Sequence, residues 1–174
     1  MKNFKTYIFL ILVLIIVGVV TFFYLKNDVI FTPNNQDNIT SWNFKGDYTD
    51  DSDLMKRAYD EIEREEVLLK DDKYTDYQVY VHIANQYHFI GNGKKELKYL
   101  NKALSLDADK TGLAWHNIGN LMKRIGAYKS ARDAYRKSIE VQPVDFYVNA
   151  YGDFMKEYFP DEYKKEVEDV SKTK

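Results

Sequence analysis

The stretch from residue 80 to residue 138 carries a pattern that returns after 35 positions, and this self-similarity limits the possible folds severely. Large side chains correspond to large ones, small to small, and a turn glycine recurs. The matched pairs are Tyr80 and Trp115, Ile83 and Ile118, Ala84 and Gly119, Tyr87 and Met122, Gly91 and Gly126, Leu100 and Tyr135, and Ala103 and Ser138. A period of this length is typical of helix pairs stacked into a solenoid.

Apolar residues fall at spacings of three and four from residue 51 onward, which predicts helices throughout this part of the chain. Turns are expected at Gly91, at Gly126 and at Pro143, because glycine and proline end helices. Turns this short join antiparallel neighbours. The predicted fold is therefore all-α, an antiparallel array of helix pairs preceded by a capping helix over 51–70 that matches no repeat.

Residues 112–145 resemble a tetratricopeptide repeat. They carry residues that the motif marks: Trp115, Ile118, Gly119, Tyr128, Ala131, Tyr135, Ser138 and Pro143. The resemblance rests on packing, since small residues lie where the two helices of a repeat cross and aromatic ones fill the space beside them.

Two further segments, 77–111 and 145–171, resemble the motif less closely. The first has Glu96, Gly93 and Ala108 where the motif has alanine, an aromatic residue and proline. The second is short and has a proline where its helix turn is expected. The resemblance implies a solenoid of about three repeats over residues 77–171.

Tetratricopeptide repeats hold a peptide or a partner helix in a concave groove lined by the first helix of each pair, so the resemblance implies such a groove here. By register, the polar lining consists of Gln78, Asn85, His88, His116, Asn117, Asn120, Lys123, Arg124 and Asn149. Lys123 and Arg124 either attract an acidic segment of the partner or form a solvated helix end.

Some relatives clamp a C-terminal carboxylate with asparagines and basic side chains. Asn85 and Asn117 lie where those asparagines would be. Val81, Phe146 and Ala150 replace the basic partners, so the carboxylate clamp is not expected.

Residues 7–25 contain no charge over 19 positions and are apolar on every side. A helix of this length spans about 29 Å, close to the thickness of the hydrocarbon core of a bilayer. Lys2 and Lys5, in a short basic N-terminus over 1–6, favour a cytoplasmic N-terminus with the repeats outside. A cleaved signal peptide is the alternative, but the run exceeds the usual signal core and no small-residue cleavage site follows it. We expect a retained signal-anchor helix in the lipid bilayer.

Residues 26–50 are polar and show no helical period, which predicts a spacer between membrane and repeats. Its apolar pair, Trp42 and Phe44, either docks on the repeats or rests at the membrane surface. After residue 25 the chain has 23 basic and 27 acidic side chains, a formal balance of −4.

The composition and motifs exclude several function classes. Without cysteine there is no disulfide framework, thiolate nucleophile or Cys-type zinc site. A formal charge of −2 argues against nucleic acid. No phosphate loop, catalytic triad order or zinc-helix motif appears, so neither an enzyme nor a cofactor is expected.

Three functional hypotheses follow. The first is a single-pass, membrane-anchored interaction module that binds a protein partner in its groove. The second is a fixed structural subunit of a cell-envelope complex, which uses its convex face or the pair Trp42 and Phe44. The third is a small metal enzyme using His88 and His116, for which the sequence offers least support. The oligomeric state stays open.

Overall fold

The structure, a computed structural model, describes residues 30–69 and 74–163. This part of the chain is all-α, as predicted. Its helices are α1 (Ser52–Val67), α2 (Asp76–Ile90), α3 (Gly93–Leu106), α4 (Leu113–Arg124), α5 (Tyr128–Val141) and α6 (Asp145–Tyr158). The predicted basic N-terminus 1–6, the signal-anchor helix 7–25 and the end of the predicted third repeat lie outside the described residues. Within the described ranges, no helix is long and apolar enough to span a membrane.

The helix ends follow local sequence signals. Thr75 and Gln78 form a capping box at the start of α2, each satisfying the backbone N–H of the other. Gly91 ends α2 with a φ of 82°, and Gly126 follows α4 with a φ of 77°. Both glycines adopt the left-handed conformation, which other residues enter only at a cost. The turn glycines that the 35-residue period pairs therefore have the same geometry.

The core lies between helices that are adjacent in the chain, α2 with α3 and α4 with α5, and α1 packs on α2. At the α4–α5 crossing, Gly119 faces Tyr135, whose ring is so close that a Cβ at position 119 would lie 2.6 Å from it. Tyr135 itself is 1% exposed. Residues 160–163 begin another helical turn after α6, so only the first helix of the third predicted repeat is described in full.

Residues 30–50, which we call the strap, lie against the repeats and do not form the predicted spacer. Phe31 is buried and meets the ring of Trp115 edge-on. Asn101 of α3 holds the strap here, since its Oδ1 accepts the backbone N–H groups of Ile30 and Phe31 at 3.0 and 2.7 Å. Its Nδ2 donates to the Phe31 carbonyl in return.

The strap also serves as a helix cap. No side chain within the Ala127–Val141 region caps α5. Instead, Asp37 accepts the backbone N–H of Lys129 at 3.1 Å and that of Ser130 at 2.8 Å, and it also accepts the Ser130 hydroxyl. The polar residues of this segment therefore bind helix ends, and hydrophobic periodicity does not register a segment that docks through such hydrogen bonds.

The second half of the strap pairs with the α2–α3 turn. The Trp42 carbonyl accepts the N–H of Gly93 at 2.8 Å, and the N–H of Phe44 donates to the Gly91 carbonyl at 3.1 Å. Both turn residues need to be glycine, since a Cβ at 91 would lie 2.0 Å from the Phe44 carbonyl oxygen and one at 93 would lie 2.7 Å from that of Trp42. Trp42 and Phe44 are half-buried against the core, the docked alternative of the two considered.

Candidate functional site

Four of the predicted groove residues line one open cleft between α2 and α4, with a volume of about 250 Å³. We call it the amide cleft. Its lining is Asn85, His88, Phe89, Glu96, Asn117 and Asn120. Register alone places Asn85 on the first helix of one repeat, and Asn117 and Asn120 on the first helix of the next, so stacking of the repeats brings the three amides together.

The amides are oriented by hydrogen bonds. Asn117 Nδ2 donates to Asn85 Oδ1 at 3.0 Å, and the Tyr135 hydroxyl donates to Asn120 Oδ1 at 2.6 Å. Within the described residues these bonds leave the Asn85 and Asn120 NH₂ groups and the Asn117 oxygen without a protein partner. The cleft therefore presents both donors and an acceptor, the complement that a peptide backbone requires.

Glu96 lies at the base of the amide cleft and is 2% exposed. Its carboxylate oxygens lie 3.1 and 3.2 Å from His88 Nδ1, the geometry of an imidazole N–H donating to a carboxylate. Burial raises the pKa of Glu96, while the hydrogen bond and charge of His88 and the more distant charge of Arg124 oppose that rise. The lining of the cleft contains this buried acid and no lysine or arginine, so it offers no such cation to a C-terminal carboxylate.

The strap contacts the lining of the cleft at His88. The centroid of the Phe44 ring lies 5.4 Å from that of the His88 ring. The guanidinium of Arg124 lies over the same Phe44 ring, 5.3 Å from its centroid. Arg124 also pairs with Asp47 of the strap at 3.4 Å. Arg124 is thus paired with an acidic side chain of the chain itself, whereas Lys123, the other residue for which an acidic partner segment or a solvated helix end was considered, is half-buried.

Besides Lys123 and Arg124, three predicted groove residues do not line the amide cleft. Gln78 is used in the α2 capping box, and Asn149 is exposed on α6, away from the cleft lining. The prediction for His116 is wrong, because this side chain is 7% exposed and its ring lies among those of Tyr135, Phe146 and Tyr147.

His116 behaves as a core residue. Its Nδ1 is buried and has no hydrogen-bond partner in the described part of the chain. Burial lowers the pKa of His116 to about 4, and the charge of Lys123 adds to this. His88 and His116 have different neighbours, and across residues 30–69 and 74–163 no three potential ligands gather as a metal site would require.

Sequence reasoning missed Glu96 and Phe89 as parts of the cleft. Glu96 does give a signal, since it stands where the repeat motif has alanine, but by register alone this departure indicates only a weaker repeat. A charged residue at a position that packs between helices needs a partner, and His88, eight residues earlier, supplies it.

The architecture defines the class as a helical-repeat solenoid. The family model for the tetratricopeptide repeat matches residues 77–110 and 113–145. Two segments of the chain, at nearly the bounds of the first two predicted repeats, thus match the tetratricopeptide repeat. Repeats of this kind generally mediate binding to protein partners. No curated protein matches the sequence. The predicted third repeat, 145–171, stays a prediction.

Proposed function

We propose that this protein is a membrane-anchored interaction module that binds a peptide or a partner helix in the amide cleft. Residues 7–25 anchor it in the bilayer, with the N-terminus in the cytoplasm and the repeats outside. The observation that carries the proposal is the convergence of Asn85, Asn117 and Asn120 on one open cleft with unused hydrogen-bonding groups.

The chemistry of the cleft favours a neutral stretch of peptide. An asparagine side chain offers one acceptor and two donors, which match the C=O and N–H groups of a backbone. The lining of the cleft offers no lysine or arginine to an incoming carboxylate, and the strap already occupies Arg124. The ligand is therefore held through its backbone amides and through donor side chains that reach the Glu96–His88 pair.

The module acts by binding and not by catalysis in this proposal. The alternative of a fixed envelope subunit loses one of its candidate contacts, because Trp42 and Phe44 pack on the repeats and are half-buried. The convex face remains the surface that this alternative would use, and the experiment below separates the two.

The experiment is site-specific photo-crosslinking in native membranes of the full-length chain. A photoreactive amino acid replaces Leu113, which is 36% exposed on α4 one helical turn before Asn117, or Glu140, which is exposed on α5. We expect a partner to be captured from position 113 and not from position 140. Capture from position 140 alone would move the interface to the convex face and favour the structural subunit.

A second arm tests the amides. The double substitution Asn85→Ala and Asn117→Ala removes a side-chain pair that is bonded only to itself, so the fold should survive. We expect the crosslink from position 113 to fall at least about tenfold, the effect of losing two hydrogen bonds to a ligand. The matched control is Lys137→Ala with Glu140→Ala, an exposed pair on α5. Equal capture by both variants would contradict binding in the amide cleft.

A further inference from the structure

The outer face of α3 is a row of lysines. Lys94, Lys95 and Lys98 are exposed and Lys102 is half-buried, and the one acid of this helix, Glu96, points into the core. Lys94, Lys98 and Lys102 are spaced by four residues and lie on one side of the helix. Four positive charges within nine residues contrast with the formal balance of −4 for the chain after residue 25.

These ammonium groups have no ion-pair partner in the described part of the chain. Lys102 lies over the rings of Tyr80 and Tyr99, at 5.1 and 5.0 Å, and Lys98 lies 5.9 Å from the Tyr99 centroid. The nearby carboxylate of Glu66 accepts the Tyr99 hydroxyl. Aromatic rings attract cations without neutralising them, so this face keeps its positive charge.

The lysine row borders a mainly apolar cleft of about 420 Å³ between α3 and the beginning of the strap. The strap contributes Phe31 and Pro33, and α3 contributes Leu97 between the lysines. Ile30, where the described chain begins, is 45% exposed beside it. A positively charged rim around an apolar opening is the arrangement that an anionic, amphipathic surface complements.

The length of chain before the strap limits how far this face can stand from a bilayer. Five peptide units join Leu25, the last residue of the apolar run, to Ile30, and fully extended they reach about 17 Å. The headgroup layer takes about 6 Å of that distance. What remains is about one Debye length at physiological salt, so lysines on this face would feel the charge of the lipids.

We propose that the lysine row of α3 docks on the anionic surface of the bilayer in which the chain is anchored. The inference rests on the proposed anchoring of residues 7–25. Docking fixes the orientation of the solenoid, because Lys94 and Lys98 of α3 then face the headgroups. The amide cleft, which lies between α2 and α4, is a separate surface.

The experiment uses the absence of cysteine from the natural chain. Ser105→Cys, exposed on the same helix, gives a single thiol for a fluorophore in the full-length protein. The labelled protein is reconstituted into vesicles of phosphatidylcholine, alone or mixed with phosphatidylglycerol, that contain a headgroup quencher. We expect strong quenching in the anionic vesicles, weak quenching in the neutral ones, and loss of the difference at high salt. A control fluorophore at Glu140→Cys should show no difference.

Charge removal completes the test. We expect each lysine replaced by glutamine to lower the ratio of docked to undocked protein about fivefold. The full variant is Lys94→Gln, Lys98→Gln and Lys102→Gln. A second variant, Lys94→Gln with Lys98→Gln, retains Lys102 and its contacts with Tyr80 and Tyr99. This variant keeps the test valid if the full variant fails to fold. The matched control is Lys56→Gln with Lys156→Gln, exposed lysines of α1 and α6.

Two readouts separate this inference from the anchor. Resistance of the protein to an alkaline wash reports anchoring by residues 7–25, and loss of the protein in that wash would overturn the proposed membrane anchor. Equal quenching on neutral and anionic vesicles, or unchanged quenching of the glutamine variants, would overturn lipid docking by the lysine row whatever the wash shows. An acidic protein partner on this face would give that second result.

Discussion

Glu96 in the first repeat and Ala131 in the second occupy the same repeat position, 35 residues apart, and both are buried. The alanine packs at a helix crossing, whereas the glutamate binds His88 and forms the base of the amide cleft. The repeat that follows the motif more closely supplies packing, and the repeat that departs from it supplies a polar site. A departure from the motif here marks an additional contact and not a weaker fold.

A second pair of matching positions, at the starts of α3 and α5, also differs between the two repeats. Asn92 caps α3 within the first repeat, but Ala127 stands at the matching place before α5 and cannot cap. The strap supplies Asp37 for that purpose. Gly93 and Tyr128 also correspond, and the glycine admits the strap where an aromatic residue would exclude it. The strap therefore joins the two repeats: its backbone packs on the turn glycines of the first, and its Asp37 caps α5 of the second.

The turn glycines allow the largest test of this comparison. Gly91 and Gly126 have nearly the same φ, but only Gly91 touches the strap. We expect Gly126→Ala to cost about 1 kcal/mol of unfolding free energy from the left-handed conformation. Gly91→Ala should cost about 3 kcal/mol or more, because its Cβ also collides with the Phe44 carbonyl. Urea denaturation of both variants gives the values, and equal losses would mean that the strap yields easily.

His116 tests the comparison through pH, since the first repeat has Val81 at this position. The folded state holds His116 neutral down to its pKa of about 4, while the unfolded chain takes up a proton near the ordinary value of 6.5. The contribution of His116 to the free energy of unfolding is therefore fully present above pH 6.5. It is lost, by about 2–3 kcal/mol, as the pH falls towards 4.

The variant His116→Val should remove this acid-dependent loss. Glu96 acts in the opposite direction, because its raised pKa makes the folded state lose stability as the pH rises above 4.5. It is present in both proteins and cancels in their difference. Urea denaturation at a series of pH values measures that difference, and a difference that does not change with pH would show that the pKa of His116 is the same in the folded and unfolded chains.

The helix caps allow a smaller test. Asp37→Ala should cost about 1–2 kcal/mol of unfolding free energy, because two backbone N–H groups of α5 and the Ser130 hydroxyl lose their acceptor. Asn92→Ala, which removes a local cap with one bond to Lys95 N–H, should cost about 1 kcal/mol or less. A silent Asp37→Ala variant would contradict the role of the strap in joining the repeats.

The smallest expected effect is the bond between Asn85 and Asn117. A double-mutant cycle with alanine at each position should give a coupling of about 0.5 kcal/mol, because both side chains are half-buried and water replaces the lost partner. Asn120→Ala should be more costly than either, since it leaves the hydroxyl of Tyr135 unpaired. A coupling near zero would mean that the amides are not preorganised for a ligand.

Much of the fold could be predicted because its signals are local. The 35-residue period, the spacing of apolar residues and the turn glycines located the helices, and register within the repeat selected Asn85, His88, Asn117 and Asn120 for one surface. The same register failed for His116, because the aromatic residues that bury it come from α5 and α6. Whether a position on a first helix is exposed depends on the next helix pair, which periodicity does not contain.

The sequence by itself determined the helical class, the bounds of two repeats and three of the amides that line the cleft, since each depends on residues within one or two turns of a helix. Only the tertiary structure decided the place of the strap, the pairing of Glu96 with His88 and the burial of His116. Contacts such as Asp37 with Ser130 join residues more than 90 positions apart through one or two hydrogen bonds. Such bonds leave no periodic trace in the chain, and they exist only once the helices have stacked.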